Sequence, residues 1–132
     1  RRVLFRSPTA LLCHGPVVVA AALDDAPAFR KALEEGDDAG AADLAQDWIY
    51  AGYRMTVFSA NEEKIAEEQV LKGELYFDME KALRSAGGDV SVTDENFASN
   101  VVVDRELITG QNPASDRAMA DALIEALDRA AA

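Results

Sequence analysis

The feature that most constrains the fold of this chain is an apolar run of strand length that stops at Cys13 and resumes as a helix-like segment. Residues 9–12 form the run, Cys13 and His14 follow, and Gly15 and Pro16 interrupt it before small apolar residues continue. Pro16 suits the first turn of a helix, because an N–H at that position would have no intrahelical partner. The pattern predicts a strand, a sharp turn at Cys13 and then a helix.

Cys13 at such a turn is a candidate nucleophile. The N-terminus of the following helix carries partial positive charge, which is expected to lower the thiol pKa, and strand-to-helix turns of this kind lift a reactive side chain clear of the sheet. His14 is adjacent, and these two residues are the only cysteine and the only histidine of the chain. Because the backbone bends here, His14 can serve as the base for Cys13. The alternative is that Cys13 is an inert buried residue.

Strand-like and helix-like segments alternate along the rest of the chain. Phe29, Ala32 and Leu33 have helical spacing, residues 53–59 alternate as a strand, and Ser59 opens another helix as its N-cap. The remaining predicted elements are a helix over 78–86, a strand over 89–93, a hairpin over 101–109 with Arg105 in a strained turn, and a final helix with a buried stripe of Met119, Ala122, Leu123, Ala126 and Leu127. This alternation predicts an α/β domain with a mainly parallel sheet and one antiparallel hairpin.

Three features have more than one interpretation. The acidic stretch 37–43 is expected to be a flexible, solvated connection, and a lid over Cys13 is the alternative. The mainly aromatic cluster of Trp48, Ile49, Tyr50 and Tyr53 is expected to pack in the core or in a subunit interface, with a substrate wall as the alternative. Asn112 is expected to cap the final helix rather than to act in catalysis.

Composition excludes several classes of function. The 132 residues carry 13 basic and 24 acidic side chains, a formal net charge of -11, which argues against binding to nucleic acid or to an anionic membrane. The longest apolar run is too short to span a bilayer, and a single cysteine cannot form an internal disulfide, so a reducing cytoplasm is expected. The sequence shows neither a metal-ligand set nor a glycine-rich phosphate loop, and no cofactor is predicted.

Three stretches of the sequence carry a family resemblance. The Cys-His-Gly-Pro stretch at 13–16, the segment 53–63 and the segment 101–115 resemble, in order and spacing, motifs of the DJ-1/PfpI superfamily. The resemblance is closest to its Hsp31-like branch, often labelled type 1 glutamine amidotransferase-like. It implies a flavodoxin-like three-layer sandwich with a mainly parallel sheet. It also implies that residues 8–132 are the C-terminal portion of this domain, that the N-terminal strands of the family are missing, and that residues 1–7 are a non-matching tail.

The resemblance further implies a catalytic set. In Hsp31-like relatives a carboxylate after the strand at 53–59 orients the histidine, and Glu63 matches that position best, with Glu62 as the fallback. A Cys13, His14 and Glu63 triad would support cofactor-independent, glyoxalase III-like conversion of 2-oxoaldehydes to 2-hydroxy acids, or a related deglycase or hydrolase activity on a small aldehyde or acyl substrate. The alternatives are a stress chaperone that binds unfolded proteins and a redox sensor based on Cys13.

The apparent lack of the early strands leads to a further expectation. The chain by itself would expose a sheet edge, would associate through it and would be weakly active or inactive. With the upstream half present, the resemblance implies a homodimeric enzyme.

Overall fold

The computed structural model describes residues 7–132, and its five strands form two small sheets. The strands are β1 (Thr9–Leu12), β2 (Arg54–Met55), β3 (Asp89–Val90), β4 (Val101–Asp104) and β5 (Leu107–Gly110). In the first sheet, with the order β1-β5-β4, β1 runs parallel to β5 and β4 runs antiparallel to it; in the second sheet β2 and β3 are parallel. The predicted hairpin is β4–β5, and Arg105 in its turn has a φ of 57°. Residues 1–6 of the predicted tail lie outside the described residues.

Helices alternate with these strands, which confirms the predicted α/β class. They are α1 (Ala26–Glu35), α2 (Asp38–Leu44), α3 (Ala60–Ala66), α4 (Met79–Ala86) and α5 (Asp116–Ala131), with 3₁₀ segments at Gly15–Ala22 and Pro113–Ser115 and a π-helical segment at Glu67–Leu71. The caps follow local sequence chemistry. The Asp25 side chain accepts from the Ala28 N–H at the start of α1, and Gly36 ends that helix with a φ of 72°.

The core lies between the sheets and the helices α1, α2 and α4. Phe29, Ala32 and Leu33 are buried, as their helical spacing predicts. Trp48 and Tyr53 are buried in the same cluster, which confirms core packing for most of the aromatic segment.

Three structural expectations are wrong. The stretch 37–43 is not a flexible connection, because Asp37 caps α2 by accepting from the Gly40 N–H and α2 packs against α1 and α4. The strands expected over 53–59 and over 89–93 are limited to β2 and β3. After β2, the Thr56 N–H donates to the Thr109 side chain instead of continuing a strand ladder. The stripe on α5 is only half-buried, and Leu127 is 50% exposed.

Candidate active site

Cys13 occupies a strained turn at the end of β1, as the sequence predicts. Its φ is 62°, a left-handed conformation that costs a non-glycine residue about 1–3 kcal/mol. Two hydrogen bonds hold it there: the Cys13 N–H donates to the Gly110 carbonyl at 2.8 Å, and the Phe58 N–H donates to the Cys13 carbonyl at 2.9 Å. The turn is therefore fixed from both sides, by β5 and by the segment that follows β2.

The helix after this turn is a 3₁₀ helix rather than an α-helix. Leu23 N–H donates to the carbonyl of Ala20, three residues back, at 3.1 Å. In an α-helix it would donate to Val19, but the Val19 carbonyl accepts from the Trp48 indole N–H at 2.9 Å. Pro16 occupies the first turn, as predicted.

His14 connects Cys13 to a carboxylate. Its Nδ1 lies 3.4 Å from Cys13 Sγ, and its Nε2 lies 2.7 Å from Glu63 Oε2. Because an ionised carboxylate only accepts, Nε2 carries the hydrogen in this contact and Nδ1 of the neutral ring is free to accept the thiol hydrogen. The arrangement is a continuous hydrogen-bonded relay of the type that activates nucleophiles.

Glu63 reaches the histidine from the first turn of α3. Ser59 caps this helix: its side chain accepts from the Glu62 N–H, and the Glu62 side chain accepts from the Ser59 N–H. Glu63 is 2% exposed, and within residues 7–132 its Oε1 has no hydrogen-bond partner. His14 is therefore the group to which this buried carboxylate is tied.

The alternative carboxylate, Glu62, points to a different set of partners. Its Oε1 accepts from the Phe97 N–H at 2.7 Å and from Asn112 Nδ2 at 2.8 Å, while its Oε2 accepts from the Ser59 N–H at 3.0 Å. Burial alone would raise the pKa of Glu62, but these hydrogen bonds together outweigh burial and hold its pKa below the usual value. The structure therefore brings Glu63, and not Glu62, to His14.

The expected lowering of the thiol pKa does not occur. Burial raises the pKa of the Cys13 thiol above its usual value, the nearby charges of Glu63 and Glu62 add to this shift, and the hydrogen bond with the His14 backbone only partly offsets it. The short 3₁₀ helix does not overcome this desolvation. Cys13 is therefore a neutral thiol at pH 7, and it depends on a base to become a nucleophile.

Two aromatic side chains that the sequence analysis did not assign to the site lie beside the relay. The Phe58 ring centroid is 4.6 Å from that of His14, and the Phe97 ring is 6.1 Å from Phe58. The alternating pattern over 53–59 includes Phe58, but it does not show that His14 is its neighbour. Phe97 has no local signal at all, because its position depends on hydrogen bonds from residues far away in the sequence.

Asn112 also differs from its expected role. It precedes the Pro113–Ser115 turn, but its side chain makes no capping hydrogen bond. Instead it is fully buried, and its Nδ2 donates to Glu62 and to the Ala98 carbonyl at 2.7 Å. A long-range contact of this kind cannot be derived from an Asn-Pro pair, which is locally typical of a helix start.

Among residues 7–132, no group of three or more His, Cys, Asp or Glu side chains is placed to hold a metal ion. In the same part of the chain, no helix has both the length and the apolar character needed to cross a membrane.

No family model and no curated protein matches the chain, but solved structures do. A crystal structure of a protein designated APC35852 is 29% identical with a TM-score of 0.64, and 91% of this chain aligns with 44% of that one. The Rapid Encystment Protein 24 KDa of Francisella tularensis is 26% identical with a TM-score of 0.54, and 89% of this chain aligns with 57% of that protein.

Glyoxalase III from Candida albicans shares the fold at lower identity. It is 19% identical with a TM-score of 0.55, and 89% of this chain aligns with 42% of that one. The chain thus spans about half the length of the solved structures that it matches. The shared architecture is the flavodoxin-like α/β fold that the sequence predicts.

Proposed function

We propose that this chain is the nucleophile-bearing portion of a cytoplasmic, homodimeric cysteine enzyme of the DJ-1/PfpI superfamily, Hsp31-like branch. The enzyme converts small 2-oxoaldehydes to 2-hydroxy acids in a glyoxalase III-like reaction, without a cofactor. The observation that carries the proposal is the relay from Cys13 Sγ through the His14 ring to Glu63, with contacts of 3.4 and 2.7 Å. The shared fold with glyoxalase III supports it at the level of architecture.

The chemistry begins with the neutral thiol. His14 Nδ1 takes the Cys13 proton while Sγ adds to the aldehyde carbon, and it then gives that proton to the aldehyde oxygen, which completes the hemithioacetal and returns the imidazole to its neutral form. Glu63 supports the positive charge that develops on the imidazole. The neutral His14 then moves a proton from the former aldehyde carbon to the adjacent carbonyl carbon. The hydroxyl proton passes from the first oxygen to the second, so that the hemithioacetal becomes, through an enediol, the thioester of a 2-hydroxy acid. Water cleaves the thioester, releases the hydroxy acid and restores the thiol.

The same nucleophile and base would support a deglycase or hydrolase reaction, because each begins with addition of Sγ to a carbonyl carbon. A redox sensor has less support. Sensor cysteines are thiolates of low pKa, whereas burial raises the pKa of Cys13.

The test is conversion of methylglyoxal to lactate by the full-length enzyme of which this chain is the proposed portion, and by its Cys13→Ser variant, since the 132-residue chain alone is expected to be weakly active or inactive. We expect the wild type to form one lactate for each methylglyoxal consumed and Cys13→Ser to form none, because the serine hydroxyl is a far weaker nucleophile at this site. Tyr76→Phe, a change at an exposed ring, is the matched control and should retain wild-type turnover. Loss of methylglyoxal without lactate formation would show simple adduct formation with the protein and would contradict the proposal.

A further inference from the structure

Phe97 is an exposed aromatic residue beside the relay. Its ring is 44% exposed, and it contacts Phe58, whose other neighbour is the His14 ring. Phe58 is itself only 5% exposed and lies between the other two rings, so Phe97 is the exposed end of an aromatic row that reaches the general base. Packing in the core does not account for Phe97, because nearly half of its surface remains in solvent.

The backbone at Phe97 is held in a conformation that favours glycine. Its φ is 62°, which costs a phenylalanine about 1–3 kcal/mol. Two hydrogen bonds impose this conformation: Glu62 Oε1 accepts from the Phe97 N–H, and Asn112 Nδ2 donates to the carbonyl of the next residue, Ala98. Both anchoring side chains are fully buried, and they also bond to each other.

A loop that needed only a turn here would place glycine or asparagine at position 97 without strain. A phenylalanine at this position, locked by a buried carboxylate and a buried amide, instead fixes the direction of an exposed ring. Glu62 lies next to Glu63 on the first turn of α3, so one helix start carries both the residue that orients His14 and the residue that anchors the Phe97 loop.

We propose that Phe97, together with Phe58, forms an apolar wall that makes the site selective for carbonyl substrates with an aromatic or bulky apolar substituent, and that Glu62 and Asn112 are the positioning residues of this wall. The proposal deepens the proposed function by naming the substrate class. On this basis phenylglyoxal is preferred over methylglyoxal.

The first test does not require turnover, because Cys13 is the only cysteine and its alkylation reports on the site alone. The rates with N-phenylmaleimide and N-methylmaleimide are measured, and their ratio is divided by the same ratio for free N-acetylcysteine. Both reagents attack the same thiol, so the thiolate fraction cancels. We expect a normalised ratio of about 2 to 10 for the wild type, which is the gain from one favourable aromatic contact.

Three variants at position 97 separate the ring from the backbone. Phe97→Ala and Phe97→Gly should both lower the normalised ratio to about 1, although glycine relieves the strain at φ 62° and alanine does not. Phe97→Tyr should keep the wild-type ratio. Tyr76→Ala, which removes another exposed aromatic ring, is the control and should leave the ratio unchanged. A wild-type ratio near 1, or an equal ratio in wild type and Phe97→Gly, would contradict the proposal that Phe97 forms an apolar wall at the site.

The positioning residues have their own readout. Asn112→Ala should lower the normalised aryl preference toward that of Phe97→Gly, and adding Asn112→Ala to Phe97→Gly should cause no further fall in that preference, because Asn112 acts on the site through the Phe97 loop. A uniform fall in both rates would instead indicate a general structural defect and would contradict the positioning role. Turnover is then compared as kcat/KM for phenylglyoxal and methylglyoxal in the full-length enzyme and in its Phe97→Gly variant. An aryl preference in labelling without turnover of either aldehyde would support the wall and contradict the proposed function.

Discussion

At the scale of single residues, the surroundings of Cys13 differ from those that the sequence predicts. A cysteine before a helix N-terminus is expected to be an acidic thiol, but Cys13 is half-buried beside two carboxylates, and its pKa is raised. Such a thiol is protected from unwanted reactions until a base removes its proton. His14 Nδ1, at 3.4 Å, is the base that the structure offers.

The raised pKa gives a direct prediction for thiol reactivity. Only the thiolate reacts with iodoacetamide, so the alkylation rate of Cys13 should rise about tenfold per pH unit and should not level off before pH 9. At pH 7 the rate should be lower than that of the same thiol in the urea-unfolded chain, where burial no longer raises its pKa. A rate that levels off near pH 6 would mean that the thiol exists as an ion pair with the imidazole.

Glu63→Gln should separate catalysis from binding. The amide oxygen can still accept from His14 Nε2, so the ring stays in place, but the negative charge that supports the imidazolium is lost. We expect kcat for methylglyoxal to fall by about 10² with little change in KM. Glu34→Gln, which removes an exposed carboxylate from α1, is the matched control. If both substitutions changed kcat by a similar small factor, Glu63 would have no catalytic role and the site would be a Cys-His dyad.

At the scale of secondary structure elements, local sequence signals predict where helices end better than they predict how the elements pack. The caps of α1 and α4 at Asp25, Gly36, Asp78 and Gly87 follow from local side-chain and backbone chemistry, and the structure has helix ends at all four. The 3₁₀ form of the Gly15–Ala22 helix does not follow from local sequence, and the Val19 carbonyl near its end accepts from the indole of Trp48, 29 positions along the chain.

The candidate site shows the same division. Cys13, His14 and Glu63 are predicted from a turn motif and a family resemblance, and the structure brings them into contact. Phe97 and Asn112 are not predicted, because their positions depend on the carboxylate of Glu62, whose partners are 35 and 50 residues away. Rules of periodicity and capping relate residues that are close in the sequence, so they cannot predict contacts at that separation.

The start of α3 should carry a measurable pH dependence of stability. The pKa of Glu62 is lower in the folded state than its usual value, so the ionised form stabilises the fold, fully above the unfolded pKa and progressively less as pH falls through the folded pKa. Glu62→Gln places an amide N–H₂ against at least one N–H donor. It should lower the free energy of unfolding by about 1–3 kcal/mol at pH 7. Urea unfolding should show this difference shrinking below about pH 4. A difference that stays constant down to pH 3 would contradict the role of the charge.

At the scale of the whole molecule, net charge and open sheet edges have opposite effects on association between copies of the chain. The net charge of -11 repels other copies of the chain, and this repulsion weakens as salt shortens the screening length to about 10 Å at 0.1 M. Within residues 7–132, β1 lies at an edge of its sheet. An unpaired strand edge is a template for pairing with another chain.

We therefore predict that the 132-residue chain associates through β1, and more strongly as salt is added. The N–H groups of Thr9 and Cys13 donate to β5, so alternation directs the Ala10 N–H to the open edge. Ala10→Pro removes that donor without breaking the ladder to β5, and proline is tolerated on edge strands. Sedimentation at several concentrations should give a lower average mass for Ala10→Pro than for wild type.

The matched control for this prediction is Thr9→Pro. It removes an N–H that donates to the Glu106 carbonyl at 2.8 Å, so it should lower the melting temperature rather than only the mass. Equal masses for wild type and Ala10→Pro at every salt concentration would show that the open edge of β1 is not the contact between copies. In that case the exposed Ile124 and Leu127 on α5 become the next surface to change, since they are the apolar residues that this helix leaves in solvent.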